Sequence, residues 1–513
     1  MYHGGTNPMG ALSTFQESRL SGYPNDLPIR TYDFHAPLGE AGQPRPQYHG
    51  IRALGALTAT WGAWLAPMPS FKPALQPTGP TDTSTLRAAA RSTGTSGLLF
   101  LNNRNINVNM SVQPGVRVAL ALADGSTLHL PSANSTAPDL PAGSYGAWAF
   151  HLPLPGVPSA ASMDLIYATA TPLTILPPSQ GSPPTLVLHL APGVDTAELA
   201  FAAYTLDGQG QEFAFSTCAG ECGREGGVLY ARRVPSGLGA ALTLCVPARG
   251  GAPLLTVLLL DAPTAARAWV TPVAGLPRLL LSDANTSYLL SDPAAPAQLT
   301  LRSEGLGAPA SLWALPAPPG GISMAGAPLA PPVAEGLFAR FSVPLPAAAP
   351  ASVTAALLRP ADPARVQAPT PQQPSADGAL GEVEGAQVYS ISVAGGEGLS
   401  EDWDVRLRVA YVGDCARLYR GASTAREDLL GDHFFNGHPM ELPYTRQGGS
   451  AGLGDAFTLR VLPLALNAEP PDARFPWGQI LFEVPPAFNA SGVAVGLQGI
   501  EAVHTYSALL TFQ

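Results

Sequence analysis

The sequence predicts a mainly β protein of several domains, and three observations carry that reading. The chain has 513 residues, which at roughly 150 residues per domain leaves room for about three or four. Its 54 glycines and 55 prolines are scattered without a collagen-like period, as expected of many short strands joined by turns. From about Leu98 onward, short segments of alternating apolar and polar residues recur between turn signals. Hydrophobic residues make up 46% and charged residues only 12%, about half the usual charged share of roughly 25%. Core-forming material is therefore plentiful, and wholesale disorder is excluded.

Residues 1–67 differ in pattern from the remainder of the chain. A short strand-like segment at Met1–Gly4 precedes a long loop. Tyr48, Ile51, Leu54, Thr58, Trp61 and Leu65 then recur at helical spacing behind Pro46, which suits the first turn of a helix. The interval 68–93 is polar and proline-rich, as expected of a linker. Residues 94–304 supply β-sandwich material. Within them Arg117–Leu122 and Ser126–Leu130 flank Asp124-Gly125, which predicts a hairpin. Trp148, Phe150, Leu152 and Leu154 alternate with smaller residues. Glu212–Phe215 and Leu254–Leu260 read as further strands, the latter apolar on both faces. Residues 305–380 are rich in Pro, Gly and Ala and read as a connecting region with some strands. Residues 381–513 form a second all-β unit, with Val405, Leu407, Val409 and Tyr411 alternating with Arg406, Arg408 and Ala410, and with further strands at Phe457–Leu464 and Gln479–Val484. No fixed-period repeat is evident.

Charge narrows the function classes. The formal net charge is −10 and Lys72 is the only lysine, so no basic face is available to track phosphates and no nucleic-acid partner is expected. The longest apolar run, Leu254–Leu260, falls far short of the ~20 residues of a transmembrane helix, and Asp261 ends it. The first residues lack a basic start and an apolar core, so no secretory signal is visible. Four Asn-x-Ser/Thr sequons, at Asn109, Asn134, Asn285 and Asn489, nevertheless point to a secretory route, vacuolar, lysosome-like or extracellular. Of the four cysteines, Cys218 and Cys222 form a C-x3-C pair, readable as a local disulfide or as reduced thiols; no further zinc ligands stand nearby.

The chemistry-bearing strings are weak taken singly. Gly448-Gly449-Ser450-Ala451-Gly452 satisfies G-x-S-x-G, but the string needs a strand before it and a helix after it, and here a strand comes next, so it reads as a flexible glycine loop. His3, His35 and His49 lack metal-ligand spacing. Glycosidic hydrolysis needs two carboxyl groups. Glu401, Asp402 and Asp404 flank Trp403 at the start of an expected strand, where a solvated edge explains them. Glu17, Asp33 and Glu40 lie in the long N-terminal loop. None of these carboxyls has a context that demands catalysis.

Three N-terminal motifs, in order, carry a resemblance. Met1-Tyr2-His3-Gly4-Gly5-Thr6-Asn7, then Thr31-Tyr32-Asp33-Phe34-His35-Ala36-Pro37-Leu38-Gly39-Glu40-Ala41-Gly42, then Tyr48-His49-Gly50-Ile51-Arg52-Ala53-Leu54 resemble the end of the catalytic barrel of family 35 glycoside hydrolases, the β-galactosidases. Leu98–Asn103, Ser144–Leu152 and Tyr167–Leu173 resemble that family's accessory β-domain. Tyr411–Tyr419, Asp432–Gly437 and Leu462–Leu464 resemble its C-terminal jelly roll. The resemblance implies the last strand and helix of a (β/α)8 barrel, succeeded by β-sandwich and jelly-roll domains. The implied reaction is retaining hydrolysis of terminal β-D-galactosyl residues, without metal or organic cofactor.

It also implies that the chain is the C-terminal part of such an enzyme. The family's acid/base glutamate, in an Asn-Glu pair, and its nucleophilic glutamate would both precede Met1, and no Asn-Glu pair occurs in the sequence. No catalytic residue is therefore assigned, and the missing barrel portion would be required for activity on a β-galactoside. The family's second tyrosine in SYDYDAP contacts galactose. This chain has Phe34 there, which keeps an aromatic face but not the phenolic hydroxyl, and His35 replaces the next aspartate. The alternative is a non-catalytic carbohydrate-binding or structural β-protein. Exposure of Trp148 or Trp403 on a concave sheet would favour binding, and their burial would favour scaffolding.

Overall fold

The computed structural model describes residues 4–6, 30–33, 35–40, 42–79, 81–105, 108–157, 163–179, 181–202, 213–246, 250–283, 286–304, 309–345, 351–362, 385–395, 404–443, 456–465 and 487–513. It is mainly β, organised in several sheets. No described helix is long and apolar enough to cross a membrane.

The first sandwich packs an eight-stranded sheet against a five-stranded one. The larger runs in the order 221–225, 228–235, 196–202, 165–168, 145–152, 97–102, 87–92, 70–71. The smaller runs 171–176, 185–189, 252–260, 242–246, 214–218, with the second and third strands parallel. Leu98, Leu186, Leu188, Leu199, Phe201, Leu244, Val257 and Leu259 fill the space between them. The segment Leu254–Leu260 is a strand, and its residues from Leu255 onward are buried on both faces, with no polar alternation. The Asp124-Gly125 turn joins Val118–Ala121 to Thr127–Leu130, with Gly125 at a positive φ of 84°. Trp148 is 4% exposed and belongs to the core.

Two expectations fail along this stretch. The interval 68–93 is not all linker, because Arg87–Ser92 forms a sheet strand paired with Gly97–Asn102. Its alanine-rich run lacks the strong apolar signal of a strand, and pairing to a buried neighbour supplies what propensity does not. The helix Pro46–Leu65 forms, but its face is rotated from the expected one. It buries Leu57, Trp61 and Leu65, while Ile51 is 39% and Leu54 55% exposed. Trp61 fixes the orientation, its indole N–H donating to the Pro153 carbonyl at 2.8 Å. Nearer the helix start, the Arg52 guanidinium lies 3.7 Å from the Trp269 ring centroid and donates to the Ala266 carbonyl at 2.6 Å. The helix thus bridges the first sandwich and the next unit.

That next unit includes much of the region expected to be a connector. A five-stranded sheet runs 269–273, 276–282, 310–315, 338–343, 333–335, so a boundary at 304/305 separates strands that pair directly. It packs on strands 286–292, 295–304 and 322–324 through Leu280, Leu299, Leu301, Leu312 and Phe341. The third unit packs the sheet 351–359, 387–395, 456–461, 415–420, 429–434 against strands 404–412 and 440–443. Val405, Leu407, Val409 and Tyr411 are all buried there, as their alternation requires.

The 17-residue strand Gly496–Phe512 belongs to both of the last two units. Its first part pairs with Asp404–Val412, and Thr505–Thr511 pairs with Gln298–Glu304. The Gly448–Gly452 string, Glu17, Trp403 and Gln479–Val484 lie outside the described residues.

Candidate functional site

The N-terminal motif residues converge on the third unit. Gly5-Thr6 pairs antiparallel with Thr31-Tyr32, and the Gly4 amide donates to the Leu38 carbonyl at 2.7 Å. A Cβ at Gly4 would lie 2.7 Å from Asp33 Oδ2 and 2.8 Å from the Glu40 nitrogen, so only glycine fits this approach.

Asp33 is buried and fully engaged. Its Oδ1 accepts from Arg45 Nη1 at 2.5 Å and from the Ala36 amide at 3.2 Å; its Oδ2 accepts from Arg45 Nη2 at 3.0 Å and from the Glu40 amide at 2.8 Å. A carboxylate held by a bidentate guanidinium and two backbone amides organises a loop, and it has no lone pair placed for attack on a sugar.

Glu40 is 8% exposed, and neither carboxyl oxygen has a hydrogen-bond partner. Burial, then the charges of Asp33 and Asp432, push its carboxyl up to about 8 against the opposing pull of Arg30. The Thr31 hydroxyl favours the charged form slightly, but it does not complete a hydrogen bond of good geometry. At neutral pH Glu40 is therefore a buried, largely protonated acid.

The other half of the cluster comes from some 400 residues away. Asp432, fully buried on the strand Leu429–Phe434, accepts from the amides of Arg30 at 2.9 Å and Thr31 at 3.0 Å. The Tyr411 hydroxyl donates to the His433 carbonyl at 2.6 Å, and burial pushes the His433 ring down to about 4. His35, at a positive φ of 53°, stacks on His438 with centroids 3.9 Å apart. Gln43 Nε2 donates to Glu441 Oε2 at 2.8 Å, and Glu441 Oε1 accepts from Arg408 Nε at 2.7 Å. Arg406 and Arg408 continue this network to Glu304, and Arg408 reaches Glu501 as well.

The structure thus brings together Asp33, His35 and Glu40. It does not bring His49 to them. His49 faces Arg52, 3.0 Å from its Nη1, and burial with that positive charge pushes the ring down to about 4, so it is a neutral acceptor. Phe34 and His3 lie outside the described residues, as does Asn285. Asn109, Asn134 and Asn489 are exposed. Cys218 and Cys222 are joined by a disulfide that links the edge strand of one sheet of the first sandwich to the edge strand of the other. Among the described residues no group of three or more His, Cys, Asp or Glu side chains is arranged to hold a metal ion.

Arg45, Asp432, His433 and Glu441 do not stand out as site residues from sequence. Asp432 and His433 are visible there only as members of a motif, because pairing across 400 residues leaves no local pattern. Neither a protein-family model nor a curated protein matches the chain.

Proposed function

We propose that the chain is the C-terminal part of a β-galactosidase-like retaining glycoside hydrolase of family 35. In this reading residues 1–67 complete a (β/α)8 barrel as its last strand and helix, and the β-units after them buttress it. The observation that carries the reading is the helix Pro46–Leu65, which is seated on the β-units through Leu57, Trp61 and Leu65 but leaves Ile51 and Leu54 exposed. A barrel's outer helix needs a second apolar face for the strands it covers. The tight joining of the N-terminal motifs to Asp432 and Glu441 also supports it, since a buttress must hold the barrel end rigidly. Both catalytic glutamates then lie outside these residues, so the chain by itself does not turn over substrate. Exposed sequons and a disulfide suit an oxidising, secretory compartment.

Assaying the purified chain with 4-nitrophenyl β-D-galactopyranoside tests this. Background hydrolysis is expected, and joining the chain to a family 35 barrel that lacks its last βα unit should restore turnover. Turnover by the chain alone that disappears in Glu40→Gln or Asp33→Asn would overturn the reading. A structural β-protein is the second reading, favoured over a lectin-like one by the burial of Trp148.

A further inference from the structure

The first sandwich holds a separate polar constellation, and it owes nothing to the galactosidase reading. A cleft of about 300 Å³ lies between the turn at 131–138 and strands 196–202 and 228–235. That volume is at the lower end for small-molecule sites, suiting a single small ring better than an extended chain.

Its wall is built from fixed side chains. Glu198 is 5% exposed. Its Oε1 accepts from the Tyr167 hydroxyl and from the Ser132 amide at 3.3 Å, and its own amide donates to Thr169 Oγ1 at 2.8 Å. Arg232 is equally constrained. Nη1 and Nη2 donate to Glu225 at 2.7 and 3.0 Å, Nε donates to Ser135 Oγ at 2.9 Å, and the guanidinium lies 4.7 Å from the Tyr230 ring centroid. Arg232 Nε stands 3.9 Å from Glu198 Oε2, beyond hydrogen-bond length, so that oxygen of a lining residue keeps its accepting capacity.

Charge and chemistry then define the ligand. Glu198 and Glu221 balance Arg232 and Arg233 in the lining, and the Arg233–Glu221 pair closes at 3.0 Å. Glu225, which holds Arg232 from outside the lining, leaves the set one negative charge beyond its two arginines, and an anion would meet the Glu198 carboxylate. It does offer a strong acceptor, a guanidinium and the hydroxyls of Thr136 and Thr196 around one small space. Neighbouring hydroxyls that both donate and accept match such a set. We propose that this cleft binds a neutral polyol of monosaccharide size, with Glu198 Oε2 accepting from one of its hydroxyls.

The test uses the full chain produced without N-glycosylation, because Asn134 lines the same cleft. Calorimetric titrations with methyl β-D-galactopyranoside, myo-inositol and inorganic phosphate are compared. Saturable binding of at least one polyol is expected with a Kd of about 1 mM, weakened about tenfold by Glu198→Gln through loss of a charge-assisted hydrogen bond. Thr136→Trp, at an exposed turn position, should block the cleft without touching the core, and it decides the matter if Glu198→Gln fails to fold. Binding of phosphate alone, no polyol binding at all, or polyol binding that a folded Thr136→Trp variant leaves unchanged would overturn the proposal.

Discussion

Asp432 illustrates how one buried carboxylate can tie down a segment that has almost no secondary structure of its own. Among the described residues of 30–45, β pairing is limited to the two ladder positions Thr31 and Tyr32 and the isolated bridge Leu38–Pro44, yet the Arg30 and Thr31 amides both donate to Asp432. Asp432→Ala strands those two donors and should cost about 2–3 kcal/mol; thermal unfolding and faster proteolysis ahead of Pro46 would register it. Glu40 gives a pH signature whose sign is fixed by the direction of its shift. An ordinary carboxyl ionises near 4.5, whereas Glu40 ionises at about 8 when folded. Between those values the folded state holds a proton that the unfolded chain has released, so stability from this group is fully present below about pH 4.5. It is lost as pH rises to about 8. Glu40→Gln should flatten that fall and gain stability over the native chain above pH 8, on the order of a few kcal/mol, as denaturant titrations at pH 5 and pH 9 would measure. Asp33 and Glu40 stand out in the sequence as loop carboxyls, but their different fates do not. One is saturated with donors and the other has none, and that depends on where Arg45 and the backbone amides point.

The helix Pro46–Leu65 shows the same limit at the scale of an element. Its existence follows from apolar spacing and an initial proline, but its inward face does not, because two apolar stripes compete and periodicity ranks them by composition alone. Packing settles the matter through Trp61, whose ring joins the core cluster that also holds Leu152 and Leu165 while its N–H finds the Pro153 carbonyl. Trp61→Ala should cost about 3–5 kcal/mol through the cavity and the unpaired carbonyl; denaturant unfolding of the full chain measures it. Ile51→Glu, by contrast, alters an exposed position and should shift stability by no more than ~0.5 kcal/mol. In a barrel-completed enzyme the same substitution should impair assembly. A neutral outcome in both settings would count against a barrel packed on that face.

At the scale of the whole molecule, the strand Gly496–Phe512 makes the last two units inseparable. Thr505–Thr511 completes a sheet with Gln298–Glu304, while Gly496–Thr505 pairs with Asp404–Val412. A fragment spanning 381–513 therefore exposes an unpaired apolar strand end including Leu510 and Phe512, which are buried in the intact chain. It should aggregate or lose near-ultraviolet circular dichroism, and a soluble, cooperatively folded fragment would refute this view of the topology. The amino-acid sequence alone determined the mainly β class, the Asp124-Gly125 hairpin, the buried strand ending at Leu260 and the alternation of Val405–Tyr411. Each of these is written in a period of a few residues, or in a turn that only certain side chains can make. Tertiary structure alone decided that Arg87–Ser92 is a strand, that residues 309–345 share one sandwich with residues before them, and that the Arg30 and Thr31 amides meet Asp432. Those outcomes depend on partners that lie from about ten to some 400 residues away, whose free energy of contact is invisible until the chain closes on itself.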